Sequence, residues 1–379
     1  MNDEQSLGRI EDERAEGGRR TRGGRVRLSW VSWEAAVFLL VSAIVAVILS
    51  TRLDIEDEGR GRSHGSTTGG HDDLLEALAL DTNRDVLISS GSDDTVRFWD
   101  LDLGKPTWGE EVLTLPHDSH PYALAPSADG RYLAVGGAKH LAVWENGAEG
   151  WKPLVAKEGS DYRYLAFAPD SRSLAIGGET GEIRILAIPS MEERVVLKGL
   201  TDMVHSVAFS VDGDRVAAST FGGELRIWDW KTGREQPIAR KLGRVHCFAF
   251  SPDGRTIATA AWRAGEGGGA ILWDLASGEV KARMGGDEGF NALAFSPGGG
   301  LIAAAGVNQT IQLWDARTGE VRGTLDKGVG WVKTILFTQG GSRLAYGGRD
   351  GAIRFWDVPA APADKRLGTR HDGPKSRAG

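Results

Sequence analysis

The hexapeptide ELRIWD at residues 224–229 is written seven times along this chain in near copies. The others are TVRFWD (95–100), HLAVWE (140–145), EIRILA (182–187), AILWD (270–274), TIQLWD (310–315) and AIRFWD (352–357). Aligned on the aromatic slot, the copies place Trp99, Trp144, Leu186, Trp228, Trp273, Trp314 and Trp356 about 42 residues apart. That period is the length of one four-stranded sheet in a radial repeat. A lone sheet of this size cannot bury both faces, so copies must cover one another.

Each repeat carries further landmarks in a fixed order. A small-residue strand precedes the hexapeptide: VLISSG, YLAVGG, SLAIGG, RVAAST, TIATAA, LIAAAG and RLAYGG. Before it comes a turn such as SADG, SVDG, SPDG or SPGG, whose Gly and Asp supply the backbone angles of a tight hairpin. Before the turn lies another strand, as in YLAF, SVAF, CFAF and ALAF. After the hexapeptide several copies run DWKTGRE, DLASGEV or DARTGEV and lead into a fourth strand.

On these residues, from 73 to about 370, the chain resembles the WD-repeat family. The resemblance implies an all-β fold, a seven-bladed β-propeller of four-stranded antiparallel blades. It implies that each motif Trp packs against the next blade, a burial worth up to about 5 kcal/mol gross. In the family a Gly-His before the first strand hydrogen-bonds through to the Trp. Only His117 is expected to fill that slot, with Leu200, Leu242 and Gly286 elsewhere, so packing rather than a polar network should hold most blades. Such rings often close with an N-terminal strand. The segment before Leu74 is read as too rich in Gly, and 363–373 is expected to supply the last strand instead.

The N-terminal region reads differently. Residues 1–27 are charged, Gly-rich and without apolar period, a disordered basic tail. Residues 28–50 contain only Glu34 as an ionisable group, and about 20 apolar residues suffice to cross a bilayer as a helix. Trp30 and Trp33 fall at the headgroup end. A transmembrane α-helix is therefore expected ahead of the propeller, in preference to a cleaved signal peptide, a twin-arginine signal on Arg19 and Arg20, or a buried soluble helix. Arg19, Arg20, Arg22, Arg25 and Arg27 precede the span, which predicts a single-pass protein with a cytoplasmic N-terminus and an extracytoplasmic propeller; a cytoplasmic propeller is the alternative. Residues 51–72 read as a flexible linker, 73–370 as the propeller and 371–379 as a disordered tail.

A formal net charge of −7 gives no basic face for nucleic acid. Cys247 is the only cysteine, so no internal disulfide forms, and a buried inert thiol is expected. HDSH at 117–120 looks metal-like, but His117 already fits the structural slot. GEGGGA at 265–270 lacks the Lys-Ser/Thr of a phosphate loop. No catalytic residue, metal or cofactor is assigned.

One position breaks the repetition. The second residue of each first strand reads Glu76, Tyr122, Arg163, His205, His246, Asn291 and Lys333. Architecture would favour one residue type there, whereas function is grafted on a fold at such diverse positions. Loops expected on the same face add Phe221, Trp262, Arg263 and Arg349, typical interface anchors. These eleven residues are the predicted partner-binding set. The expected function is a membrane-anchored, non-catalytic scaffold for a protein or peptide. The alternatives are a propeller enzyme or small-molecule or metal sensor using the central channel, and an accessory subunit of a membrane complex.

Overall fold

The computed structural model describes residues 67–102, 109–159, 161–236, 245, 247–260, 269–285, 289–306, 309–325, 331–338 and 340–359. The expected membrane span, both tails and 363–373 lie outside the described residues. Among the described residues no helix is long and apolar enough to cross a membrane.

The chain forms seven four-stranded antiparallel sheets. A short strand, β1 (Thr67–Gly70), comes first. Blade 1 is β2 (Leu75–Asp81), β3 (Val86–Gly91), β4 (Thr95–Asp100) and β5 (Glu111–Pro116). Blade 2 is β6 (Pro121–Pro126), β7 (Tyr132–Gly137), β8 (His140–Gly147) and β9 (Gly150–Glu158). Blade 3 is β10 (Tyr164–Phe167), β11 (Ser173–Gly177), β12 (Ile183–Ala187) and β13 (Glu193–Leu197). Blade 4 is β14 (Val204–Phe209), β15 (Arg215–Thr220), β16 (Leu225–Asp229) and β17 (Arg234–Glu235). Blade 5 is β18 (Cys247–Phe250), β19 (Thr256–Ala260), β20 (Ala270–Asp274) and β21 (Val280–Met284). Blade 6 is β22 (Phe290–Phe295), β23 (Leu301–Gly306), β24 (Ile311–Asp315) and β25 (Val321–Leu325). Blade 7 is β26 (Val332–Phe337), β27 (Arg343–Gly348) and β28 (Ala352–Asp357), completed by β1. The first strands touch in ring order, β2 to β6, β10, β14, β18, β22, β26 and back to β2, so they surround one axis.

Seven apolar clusters hold the ring, each shared by two adjacent blades. Trp99 packs with Ala345, Ile353 and Phe355 of blade 7, Trp228 with Ile183 and Ile185 of blade 3, and Trp356 with Ile311 and Leu313 of blade 6. Leu186 fills the same slot in blade 3 against Leu141 and Val143 of blade 2. The aromatic slot therefore packs on the preceding blade, not the next as the sequence suggested. Its side of the third strand faces back along the ring, a choice of sheet face that period alone does not fix.

Ring closure also differs from expectation. β1 pairs antiparallel with β28, Thr67 opposite Arg354 and Gly70 opposite Ala352, so the segment read as linker supplies the last strand. The glycines that argued against a strand are what let it fit. A Cβ on Gly70 would lie 2.3 Å from the Gly351 carbonyl oxygen, closer than real Cβ atoms come.

His71 follows directly and ties this strand to blade 1. Its Nδ1–H donates to Asp93 Oδ1 at 2.8 Å, and its Nε2 accepts from the Ser89 hydroxyl at 2.8 Å. The Ser89 oxygen in turn accepts from Trp99 Nε1 at 2.8 Å. This is the Gly-His network that the sequence reading assigned to His117 alone. In blade 2 the residue in register with Ser89 is Val135, which has no hydroxyl, and His117 Nε2 is buried without a hydrogen-bond partner among the described residues. In blade 5 Trp273 Nε1 finds Thr259 at 2.8 Å, whereas Trp314 Nε1 in blade 6 has no partner among the described residues.

Candidate functional site

The predicted ring residues occupy a special place in their strands. In β2, β6, β14, β22 and β26 the register shifts at one residue: Glu76, Tyr122, His205, Asn291 and Lys333 respectively. A bulge inserts an unpaired residue and re-aims its side chain. The diverse position of the sequence is thus the bulged one, released from the alternation that governs its neighbours. Arg163 stands immediately before β10. His246, Trp262 and Arg263 lie outside the described residues.

These side chains reach across blade boundaries. Asn291 Nδ2 donates to the Val332 carbonyl at 2.7 Å. Lys333 Nζ is ion-paired with Glu76 Oε2. Glu76 Oε1 accepts from His120 Nε2 at 3.1 Å and from Ser92 Oγ at 3.3 Å, while Ser92 Oγ and His120 Nε2 are 2.8 Å apart. The His120 ring lies 4.9 Å from Tyr122, and the Arg163 guanidinium sits 4.1 Å over the same tyrosine, a cation–π contact. Arg163 is also paired with Asp161 at 3.0 Å. Tyr164 lies 5.3 Å from His205, whose ring meets Phe221 edge-on at 4.6 Å. Burial pushes the Tyr164 phenol up to about 12, so it stays neutral.

Polar and aromatic contacts thus link blades 6, 7, 1 and 2 and reach blade 3, and an aromatic group continues from blade 3 to blade 4. Phe221 and Arg349 stand beside this set on the loops after the second strands. The Phe221 N–H donates to the Met203 carbonyl at 3.3 Å, and the Arg349 N–H donates to that of Trp331 at 3.3 Å. The equivalent bonds, Ser92 to Leu74 and Ala138 to His120, show that these loops lie on one face. Sequence reasoning missed Ser92, His120, Asp161 and Tyr164. The signal available was position: His120 and Asp161 each precede a ring residue by two.

Among the described residues no three His, Cys, Asp or Glu side chains converge to hold a metal ion. Cys247 is buried, and burial pushes its thiol up to about 12, which makes it a poor nucleophile. What the arrangement offers is a rigid face of aromatic rings and fixed charges.

Comparison with known proteins agrees with this architecture. The WD domain, G-beta repeat model matches residues 63–100, 192–229, 238–274, 278–315 and 319–357, together half of the chain. The unmatched stretch holds blade 2 and most of blade 3, where the motif ends in Trp-Glu and Leu-Ala yet the sheets are complete. The chain is 27% identical to telomerase protein component 1 of Rattus norvegicus over 65% of its length, but spans only 9% of that protein. It is 25% identical to periodic tryptophan protein 2 of Arabidopsis thaliana over 60% of its length, spanning 26% of it. It is 23% identical to protein groucho of Drosophila melanogaster over 68% of its length, spanning 36% of it. The chain thus covers well under half of each of these relatives. With the repeat model matched across half its length and seven blades closed in a ring, the chain belongs to the WD-repeat family.

Proposed function

We propose that this chain is a membrane-tethered, non-catalytic scaffold. It holds a protein segment on the face carrying Glu76, Tyr122, Arg163, His205, Asn291 and Lys333. The observation that supports this reading is the bulge position: five blades bulge at one residue of their first strand, and each carries a different side chain there. A fold needs no such diversity for its own packing, whereas a binding face does. Membership of the WD-repeat family favours binding over catalysis as well.

The test uses the full chain in mild detergent. Arg163, Phe221 and Arg349, all replaced by Ala, should lose co-purifying chains while the unfolding midpoint stays unchanged. Capture of the same chains by the variant rejects this face as the binding surface.

The tether is the apolar stretch 28–50, with the N-terminus inside and the propeller outside the cytoplasm, on the strength of the arginines before the span. External protease on intact cells should digest the propeller and spare an N-terminal epitope. Protection of the propeller with loss of the epitope reverses the orientation.

A further inference from the structure

Among the described residues, the ring face carries more exposed acid than base over blades 1 to 4. Its connections and strand ends present Asp72, Asp94, Asp118, Glu158, Glu179 and Asp202, all exposed, with Lys139, Lys157 and Lys198 the exposed cations there among the described residues. Lys198 is 3.4 Å from Glu182 and so already answered. Asp94, Glu158 and Glu179 make no hydrogen bond or ion pair with the described residues through their side chains. The carboxylates of the opposite face are engaged instead. Asp129, Asp212 and Asp253 each accept from the Ser two positions earlier, at 2.6, 2.5 and 2.5 Å, and from a backbone N–H of their own turn. On the ring face Asp202 is likewise held by the N–H groups of Met203 and Gly222, Asp72 lies 3.7 Å from Arg97 and Asp118 lies 3.7 Å from His140, which leaves Asp94, Glu158 and Glu179 unengaged among the described residues.

Inside the acidic rim lies an aromatic floor. Phe221 is 48% exposed, and it stands on His205 and beside Met203. Tyr164 extends the floor on the other side of His205, 5.3 Å away. The one cation on it, Arg163, is neutralised by Asp161 and laid flat on Tyr122.

We propose that the segment held on this face is a basic peptide. It would place an apolar or aromatic side chain on Phe221 and Tyr164, with Lys or Arg side chains above Asp118, Glu158 and Glu179. This rests on the scaffold reading and adds the chemistry of the partner to it. Exposed carboxylates around an apolar floor attract cations at a distance, speed encounter and repel acidic competitors. The aromatic rings add contact area and accept cations on their faces.

A random peptide library selected on the full chain in mild detergent tests both levels. A consensus rich in Lys or Arg with an aromatic or aliphatic anchor is the expected result. An acidic or uncharged consensus overturns this inference and leaves the scaffold. No enrichment over the variant with Arg163, Phe221 and Arg349 replaced by Ala overturns both. A second arm uses a labelled peptide of alternating Lys and Phe, with Glu and Phe as its counterpart. The Lys peptide should bind roughly tenfold tighter and weaken with added salt. The joint change Asp118→Lys, Glu158→Lys and Glu179→Lys should abolish that preference. These three side chains are exposed and hold no backbone, and Asp118 gives up only its 3.7 Å contact with His140, so folding should be unaffected. Equal binding of the two peptides, or an unchanged preference in the variant, rejects the proposal.

Discussion

Lys333 in the last blade is ion-paired with Glu76 in the first, across the seam where the ring closes. The Glu76 side chain is only 3% exposed, and His120 and Ser92 complete its partners. Blades 7, 1 and 2 therefore meet on one carboxylate.

Removing that carboxylate should be costly. Glu76→Gln strands Lys333 and weakens the bonds from His120 and Ser92, and should cost about 1–3 kcal/mol in denaturant unfolding. Lys333→Met leaves a buried charge without its cation and should cost at least as much. The double substitution should lose less than the sum, because each single change strands a partner that the double change removes. Strict additivity would mean the pair contributes nothing to closure.

Closure itself should depend on the N-terminal strand and not on the tail. Gly70→Ala forces a Cβ against the Gly351 carbonyl and should lower the melting temperature. Removal of 363–379 should leave it unchanged. A drop on tail removal comparable to that of Gly70→Ala would restore the closure first expected from the sequence.

The hydroxyl relay should make equivalent tryptophans unequal. Trp99→Phe breaks the bond to Ser89, whereas Trp314 Nε1 has no partner to lose. The first change should cost about 1 kcal/mol more than the second in denaturant unfolding. Ser89→Ala should reproduce much of that difference by leaving both Trp99 and His71 unanswered. In blade 2, Val135→Thr supplies the hydroxyl that His117 lacks, at nearly constant volume, and should stabilise by up to about 1 kcal/mol.

Stability should fall in acid in two stages. Burial holds His71 and His117 below the ordinary imidazole value of 6.5, against the opposing bonds to Asp93 and the Ser119 carbonyl. The unfolded chain takes up these protons more readily. The contribution is therefore complete above about pH 6.5 and declines as the pH falls below it. Asp93 behaves differently: burial favours its neutral form, but bonds from Thr95 and His71 outweigh this and hold it at about 2. Its contribution persists until the pH falls below its ordinary value of 3.8, and is lost on the way to about 2. Unfolding midpoints measured across this range should show both declines. His71→Gln should flatten the upper one, and an unchanged slope there would exclude His71 as its source.

Most of the architecture was legible because repetition multiplies weak signals. One Trp-Asp pair carries no information, but seven strands, turns and aromatic slots at one period require a ring. The bulged ring position was also legible, since Glu76, Tyr122, His205, Asn291 and Lys333 interrupt otherwise apolar strands. Their partners were not. Lys333 and Glu76 lie 257 positions apart, and only the closed circle brings them together. His71 was missed because its role depends on Ser89 and Trp99 lying beneath it, which a Gly-rich flank does not announce.

The sequence by itself determined the number of blades, their four-stranded composition and the residues that stand out from the repeat, because these follow from local period and side-chain type. Tertiary structure decided which neighbour each aromatic slot covers, which segment closes the ring and which polar groups meet around the axis. Those depend on the sense of packing between sheets and on contacts between ends of the chain, and no short window of residues contains them.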